Sequence, residues 1–109
     1  MTGPLPPSIE NYFSGKNARD FATAVSGFSP SARVQDEGRS HEGPAAIRAW
    51  IEETAAKYDD RAEVESFTRN DDGVEVVAQV SGTFLGSPIP LRFAFTLDGD
   101  RISRLEIAP

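Results

Sequence analysis

The chain contains no cysteine. Disulfide staples, thiol nucleophiles and thiolate metal sites are therefore excluded, and the composition suits a reducing compartment. Histidine is almost as scarce, with His41 the single example. A histidine-based metal centre would need several carboxylates to converge on it, so no metal is expected. A P-loop, a dinucleotide-binding glycine pattern and a serine nucleophile elbow are all missing, and no cofactor is expected. Basic residues are in the minority: 11 Lys and Arg stand against 17 Asp and Glu, for a net charge of −6. They are scattered among acidic neighbours and form no phosphate-binding stripe, so nucleic acid is not an expected partner. No stretch approaches the roughly 20 apolar residues that span a membrane. Residues Met1 to Pro7 have neither the basic region nor the apolar run of a secretory signal. The expectation is a soluble, cytoplasmic protein without a membrane partner.

What is present suits one core. The chain has 109 residues, 39% of them apolar, with seven Phe, two Tyr and one Trp as bulky filling. That length fits one domain, 1–109, without metal or disulfide support. Residues 1–7, with Pro4, Pro6 and Pro7, read as an extended lead-in. A short helix is expected from Ser8 to Ser14, because Ile9, Tyr12 and Phe13 fall on one face, and Gly15 ends it. Asn17 reads as the N-cap of a second helix reaching Val25, with Asp20 favouring the positive end of its dipole. Gly27 and Pro30 break that helix. Ser31 to Asp36 alternates weakly and suits a short strand, and Glu37 to Gly43 reads as a polar loop.

Gly43-Pro44 opens the clearest helix, with Pro at the first turn where its missing N–H costs nothing. Ile47, Trp50, Ile51, Ala55 and Tyr58 form its apolar stripe, opposite Arg48, Glu52, Glu53 and Lys57. From Arg61 the period changes to two. Val64 and Phe67 lead into a hairpin turn at Asn70-Asp71-Asp72-Gly73. Val74, Val76, Ala78 and Val80 share one face of the next strand, and Gly82 interrupts it. Gly86-Ser87-Pro88 turns the chain into Leu91, Phe93, Phe95 and Leu97. Asp98-Gly99-Asp100 turns it again into Ile102, Leu105 and Ile107. Helices segregated from a run of hairpin-joined strands make an α+β fold.

The phrases "NYFSGKNARD" in the first helices, "FSPSARVQDEGRSHEGPAAIRAW" from Phe28 to Trp50, and "VSGTFLGSPIPLRFAFTLDGDRISRLEI" from Val80 to Ile107 span most of the chain. Together they resemble the SnoaL-like (polyketide cyclase and ketosteroid isomerase-like) branch of the nuclear transport factor two-like superfamily. The resemblance implies a cone-shaped α+β barrel: three N-terminal helices on a strongly curved antiparallel sheet, enclosing a pocket open at one end. Members of that group include ketosteroid isomerases, polyketide cyclases, epoxide hydrolases and noncatalytic proteins, so the fold alone does not fix the chemistry. It also implies a homodimer through the outer face of the sheet, where Val77, Arg92, Ala94 and Thr96 lie.

Ketosteroid isomerase moves a proton next to a carbonyl with a carboxylate, while a tyrosine and a protonated aspartic acid hold the oxyanion. Matching Asn17-Ala18-Arg19-Asp20 to its second helix brings Tyr12 onto the isomerase tyrosine and Asp36 onto the base. The place of the protonated acid falls on Phe93, which cannot donate a hydrogen bond. Losing one such donor typically costs on the order of 100- to 1000-fold in rate. Asp36 is thus a candidate base whose pKa an apolar pocket would set, or else a solvated carboxylate before Gly38. Tyr12 is a candidate donor or a core aromatic. His41, close in sequence to Asp36 and Glu37, is a candidate proton relay or an exposed loop residue. Trp50, Phe67, Phe84, Phe93 and Phe95 are expected in the core and the pocket wall at once, where they would favour an apolar small-molecule ligand. Glu52-Glu53 and Asp59-Asp60 read as solvated surface. Two kinds of function follow from this. One is a cofactor-free isomerase, cyclase or hydratase acting on an apolar carbonyl compound through Asp36. The other is a noncatalytic ligand-binding or dimeric interaction domain.

Overall fold

The computed structural model describes residues 5–109. The expected lead-in falls partly on residues 1–4, which lie outside the described part. Pro7 is not in it, because it is the first residue of helix α1 (Pro7–Ala18). There its fixed φ and missing N–H suit the first turn. The helix outlasts the break expected at Gly15. A Cβ on Gly15 would lie 2.5 Å from the Ala24 nitrogen, so this glycine lets the next helix pack closely and does not end its own. Termination comes at Arg19, which adopts a left-handed conformation with φ of 61°. Helix α2 (Phe21–Val25) is capped by Asp20, not by Asn17: the Thr23 backbone N–H and hydroxyl donate to its carboxylate at 3.3 and 2.7 Å.

Asn17 has another task. Its side chain donates to the Ala62 carbonyl at 2.8 Å and accepts from the Ala62 N–H at 2.9 Å. It thereby pairs α1 to strand β3 (Arg61–Arg69) as a neighbouring strand would.

Strand β1 (Phe28–Asp36) is longer than the expected Ser31 start. The segment read as a polar loop contains strand β2 (Arg39–Glu42), antiparallel to β1. Glu37 and Gly38 both have positive φ, at 52° and 74°, the backbone of a tight two-residue hairpin. Because β2 is an edge strand exposed along most of its length, it carries no apolar alternation that would betray it. Helix α3 (Gly43–Tyr58) follows as expected, burying Ile47, Trp50 and Ile51. It packs on β1 and β2.

The hairpin run continues as β4 (Gly73–Ser81), β5 (Ile89–Asp98) and β6 (Arg101–Ala108). The six strands form one sheet in the order β2-β1-β6-β5-β4-β3. The β1–β6 pairing is parallel, so the sheet is mixed, not wholly antiparallel. It is also open, with β2 and β3 at its edges, so the barrel does not close. Register shifts interrupt the β1–β6, β3–β4 and β5–β6 ladders, and such irregularities bend a sheet. Val74, Val76, Ala78, Phe93, Phe95, Ile102 and Leu105 are buried on its inner face. Tyr12 and Phe13 of α1 meet this face through edge-on ring contacts, with Phe13 5.1 Å from Phe93 and Tyr12 5.6 Å from Phe95. Pairs of this kind contribute roughly 0.5–1.5 kcal/mol each beyond area burial. No helix among the described residues is long and apolar enough to cross a membrane.

Replacing Asn17 with Ala removes both bonds to Ala62 and leaves two strand-edge groups without their partner. Urea unfolding should show a loss of about 1–3 kcal/mol. An unchanged midpoint would mean that Asn17 does not hold α1 to the sheet.

Candidate functional site

A cavity of about 200 Å³ lies between α1, α3 and the inner face of the sheet. Most of its wall is apolar: Ile51, Val80, Phe84, Ile89, Leu91, Phe93 and Ile107. Gly82 makes part of this wall possible. A Cβ there would sit 2.6 Å from the Tyr58 carbonyl. Its absence lets the chain after β4 cross the end of α3, and Phe84 then meets the Tyr58 ring at 5.9 Å.

Polar side chains are set into this surface: Tyr12, Lys16, Asp36 and Asp60, with Glu37, Thr54 and Tyr58 also on the lining. Asp36 closes strand β1, half-buried, and accepts a hydrogen bond from the Trp50 indole N–H at 3.3 Å. Burial pushes its carboxyl above the usual carboxylate range, and the Glu37 charge adds to the rise. The Trp50 bond and His41 pull the other way. Tyr12 is fully buried. Burial, followed by the charges of Asp60 and Asp36, raises its hydroxyl well above the ordinary tyrosine value, so it remains a protonated donor. Among the described residues that hydroxyl has no hydrogen-bond partner.

Lys16 and Asp60 were not expected here, and both come to the site from the structure alone. They form a hydrogen-bonded ion pair, and they are only 6% and 5% exposed. Burial lowers the Lys16 pKa, opposed by the Asp60 charge. The expected solvated pair Asp59-Asp60 is thus half wrong. Asp59 is exposed and paired with Arg19 and Arg61, whereas Asp60 points into the core. Signals for both were present. Lys16 follows Tyr12 by four positions and so shares its helix face. Asp60 is in phase with the inward residues Ala62 and Val64 of β3. Charged residues default to the surface in sequence reading, and that default overrides both patterns.

The other expected residues divide. Trp50, Phe84 and Phe93 line the cavity; Phe67 and Phe95 do not. Phe95 pairs with Val74, towards the Asn70–Gly73 turn, whereas Phe67 lies level with Phe93 across Val76 but out on the edge strand β3. The hollow lies towards the end where β4 finishes and β5 begins, so Phe95 fills core and Phe67 packs, partly buried, against it. His41 is also outside it. On β2 its imidazole stacks on the Trp50 indole at 5.7 Å and 27°. It lines a smaller hollow of about 60 Å³ that shares Asp36, Glu37, Trp50, Thr54 and Tyr58 with the main one. Asp36 therefore lines both hollows, whereas His41 lines only the smaller one.

The SnoaL-like domain model matches residues 9–105. The chain belongs to the SnoaL-like family. A Sinorhizobium meliloti protein with a provisional assignment as a polyketide cyclase is 38% identical, with 95% of each chain covered and a TM-score of 0.92. Two more distant structures share the fold. A Catenulispora acidiphila protein with a ketosteroid isomerase-like fold, crystallised with trimethylamine, is 17% identical with a TM-score of 0.85, covering 97% of this chain and 87% of its own. A cystatin-fold protein from Novosphingobium aromaticivorans is 22% identical with a TM-score of 0.80, covering 98% of this chain and 100% of its own. The chain has no significant match among curated proteins. Within this SnoaL-like fold, the two side chains expected from the resemblance, Tyr12 and Asp36, line one cavity, and Phe93 contributes only a ring to its wall.

The environment of Asp36 can be read directly. Its carboxyl carbon, followed by NMR, should titrate above the ordinary value of 3.8. Trp50→Phe should move the midpoint higher still, because the indole bond favours the ionised form. A carboxyl pKa raised by folding adds stability below the unfolded value, and that stability is lost as pH rises through the folded value. Asp36→Asn should therefore stabilise the protein at neutral pH, with the gain vanishing in acid. A titration at or below 3.8 would remove the desolvated base from the site.

Proposed function

We propose that this SnoaL-like protein binds a small, largely apolar carbonyl compound and moves a proton at the carbon next to the carbonyl, with Asp36 as general base. The observation that carries this reading is the placement, on the walls of one largely apolar cavity, of a desolvated carboxylate and a fully buried tyrosine hydroxyl that has no partner among the described residues. Asp36 takes the α-proton, and the electron pair moves onto the carbonyl oxygen. Tyr12 donates its hydrogen bond to that oxygen as charge develops, and the neighbouring Lys16 ammonium lowers the energy of the enolate by its charge. In a β,γ-unsaturated substrate the enolate extends over the double bond, and Asp36, now protonated, returns the proton to the γ-carbon, which completes an isomerisation without a cofactor. A raised pKa suits this work, because a carboxylate that holds its proton more tightly is the stronger base. Lys16 also answers the problem posed by Phe93: the donor missing from β5 is replaced by a cation from α1.

The size of the hollow limits the substrate. Drug-sized ligands occupy about 300–1000 Å³, whereas a cavity of roughly 150 Å³ accommodates benzene. At about 200 Å³ the site fits one substituted ring, not a four-ring steroid.

A β,γ-unsaturated cyclohexenone tests the reading, since its conversion to the conjugated isomer is followed by ultraviolet absorbance. Asp36→Asn should lower the rate by about 100-fold or more, and Tyr12→Phe by on the order of 100-fold. If the ketone raises the melting temperature of both the parent protein and the Asp36→Asn variant, and neither turns it over, the protein is a binder and not a catalyst.

A further inference from the structure

The polar end of the cavity offers more than one carbonyl oxygen can use. Two of its atoms are buried without a hydrogen-bond partner among the described residues: the Tyr12 hydroxyl and Oδ1 of Asp60. The first has a hydrogen to give. The second, on a carboxylate whose other oxygen holds the Lys16 ammonium, can only accept. Both residues line the same hollow, and the Asp60 charge acts on the Tyr12 hydroxyl. A simple ketone satisfies Tyr12 and leaves Oδ1 bare, at the full cost of an unpaired buried acceptor. A carboxylate ligand would be repelled by Asp60 and Asp36. An ammonium group would meet Lys16, which already sits against Asp60. A neutral donor next to the carbonyl meets every condition.

We infer that the substrates of this site are small cyclic or aryl α-hydroxy ketones, with the carbonyl oxygen on the Tyr12 hydroxyl and the neighbouring hydroxyl donating to Asp60 Oδ1. The inference rests on the cavity being the carbonyl-binding site, but not on Asp36 acting as the base. The role of Asp60 is specificity: it selects the substrate and touches no breaking bond. Lys16 holds one Asp60 oxygen and leaves the other, Oδ1, for the ligand.

The test is calorimetric titration of four matched probes: acetophenone, phenacyl alcohol, phenacyl methyl ether and phenacylamine. It is carried out on the Asp36→Asn protein so that turnover does not interfere. Phenacyl alcohol should bind about 10-fold or more tightly than acetophenone, the range expected for a hydrogen bond to a charged group. The methyl ether, which accepts but cannot donate, should gain nothing over acetophenone. Adding Asp60→Asn should reverse that order. Its amide oxygen turns to Lys16 and its NH₂ faces the hollow, so the ether then binds at least as well as the alcohol. Adding Tyr12→Phe instead should weaken all the ketones by a common factor and leave the alcohol's advantage intact. This second variant keeps the test alive if Asp60→Asn does not fold. Equal affinity for acetophenone and phenacyl alcohol would overturn the hydroxyl subsite while leaving the carbonyl site standing. Preference for phenacylamine would overturn it in favour of a cationic ligand. If none of the four binds, both this inference and the carbonyl reading fail.

Discussion

Lys16 and Asp60 are buried against each other where α1 ends and the chain passes from α3 into β3. Removing two such charges from water costs several kcal/mol per ion, and their attraction repays this only when the geometry is good. The surroundings are built to fix that geometry. Arg19 donates to the Lys16 and Asp60 carbonyls at 3.0 and 2.7 Å and to the Asp59 carboxylate at 2.8 Å. Asn17 ties the same end of α1 to Ala62. The left-handed residues Arg19 and Asp59 stop their helices, so that the two chain ends meet at this point. The junction sets the position of α1 over the sheet, and with it the position of Tyr12 and the depth of the hollow.

An ion pair of this kind is weak evidence for stability. Apolar replacements of similar volume are often neutral or stabilising, whereas removing one partner alone leaves an uncompensated charge. The pair lines the same cavity as the Tyr12 hydroxyl, and Asp60 Oδ1 and that hydroxyl both lack a hydrogen-bond partner among the described residues. Asp36 stands at the end of β1, held by the Trp50 indole on which His41 stacks. Each charged group is thereby given a different environment, and a difference in environment is what allows similar groups to take different roles.

The fold is largely legible in the sequence because its strongest elements have strong periods. The stripe from Ile47 to Tyr58 and the alternation from Val74 to Val80 each point to one element, and both are present. What escapes has no periodic signal or has a misleading one. Strand β2 is mostly exposed, so nothing apolar marks it. Gly15 looks like a helix stop because its close approach to Ala24 is a tertiary fact. The site is legible only in part. Tyr12 and Asp36 are reached through resemblance, together with Trp50, Phe84 and Phe93 as wall. Phe95 is core towards the turn end of the hairpin and Phe67 sits on the edge strand β3, distinctions that need the register and the strand order. Lys16 and Asp60 lie on the right faces by spacing, yet burying a charge is rare enough that each looks like surface until the partner is seen.

The most direct measurement is the double replacement Lys16→Met with Asp60→Leu, compared with the parent protein by urea unfolding and by acetophenone and phenacyl alcohol titration. The account predicts a folded protein at least as stable as the parent, with the preference for the alcohol abolished. A variant that loses several kcal/mol of stability yet still prefers the alcohol would contradict it, because the pair would then serve the fold and not the ligand.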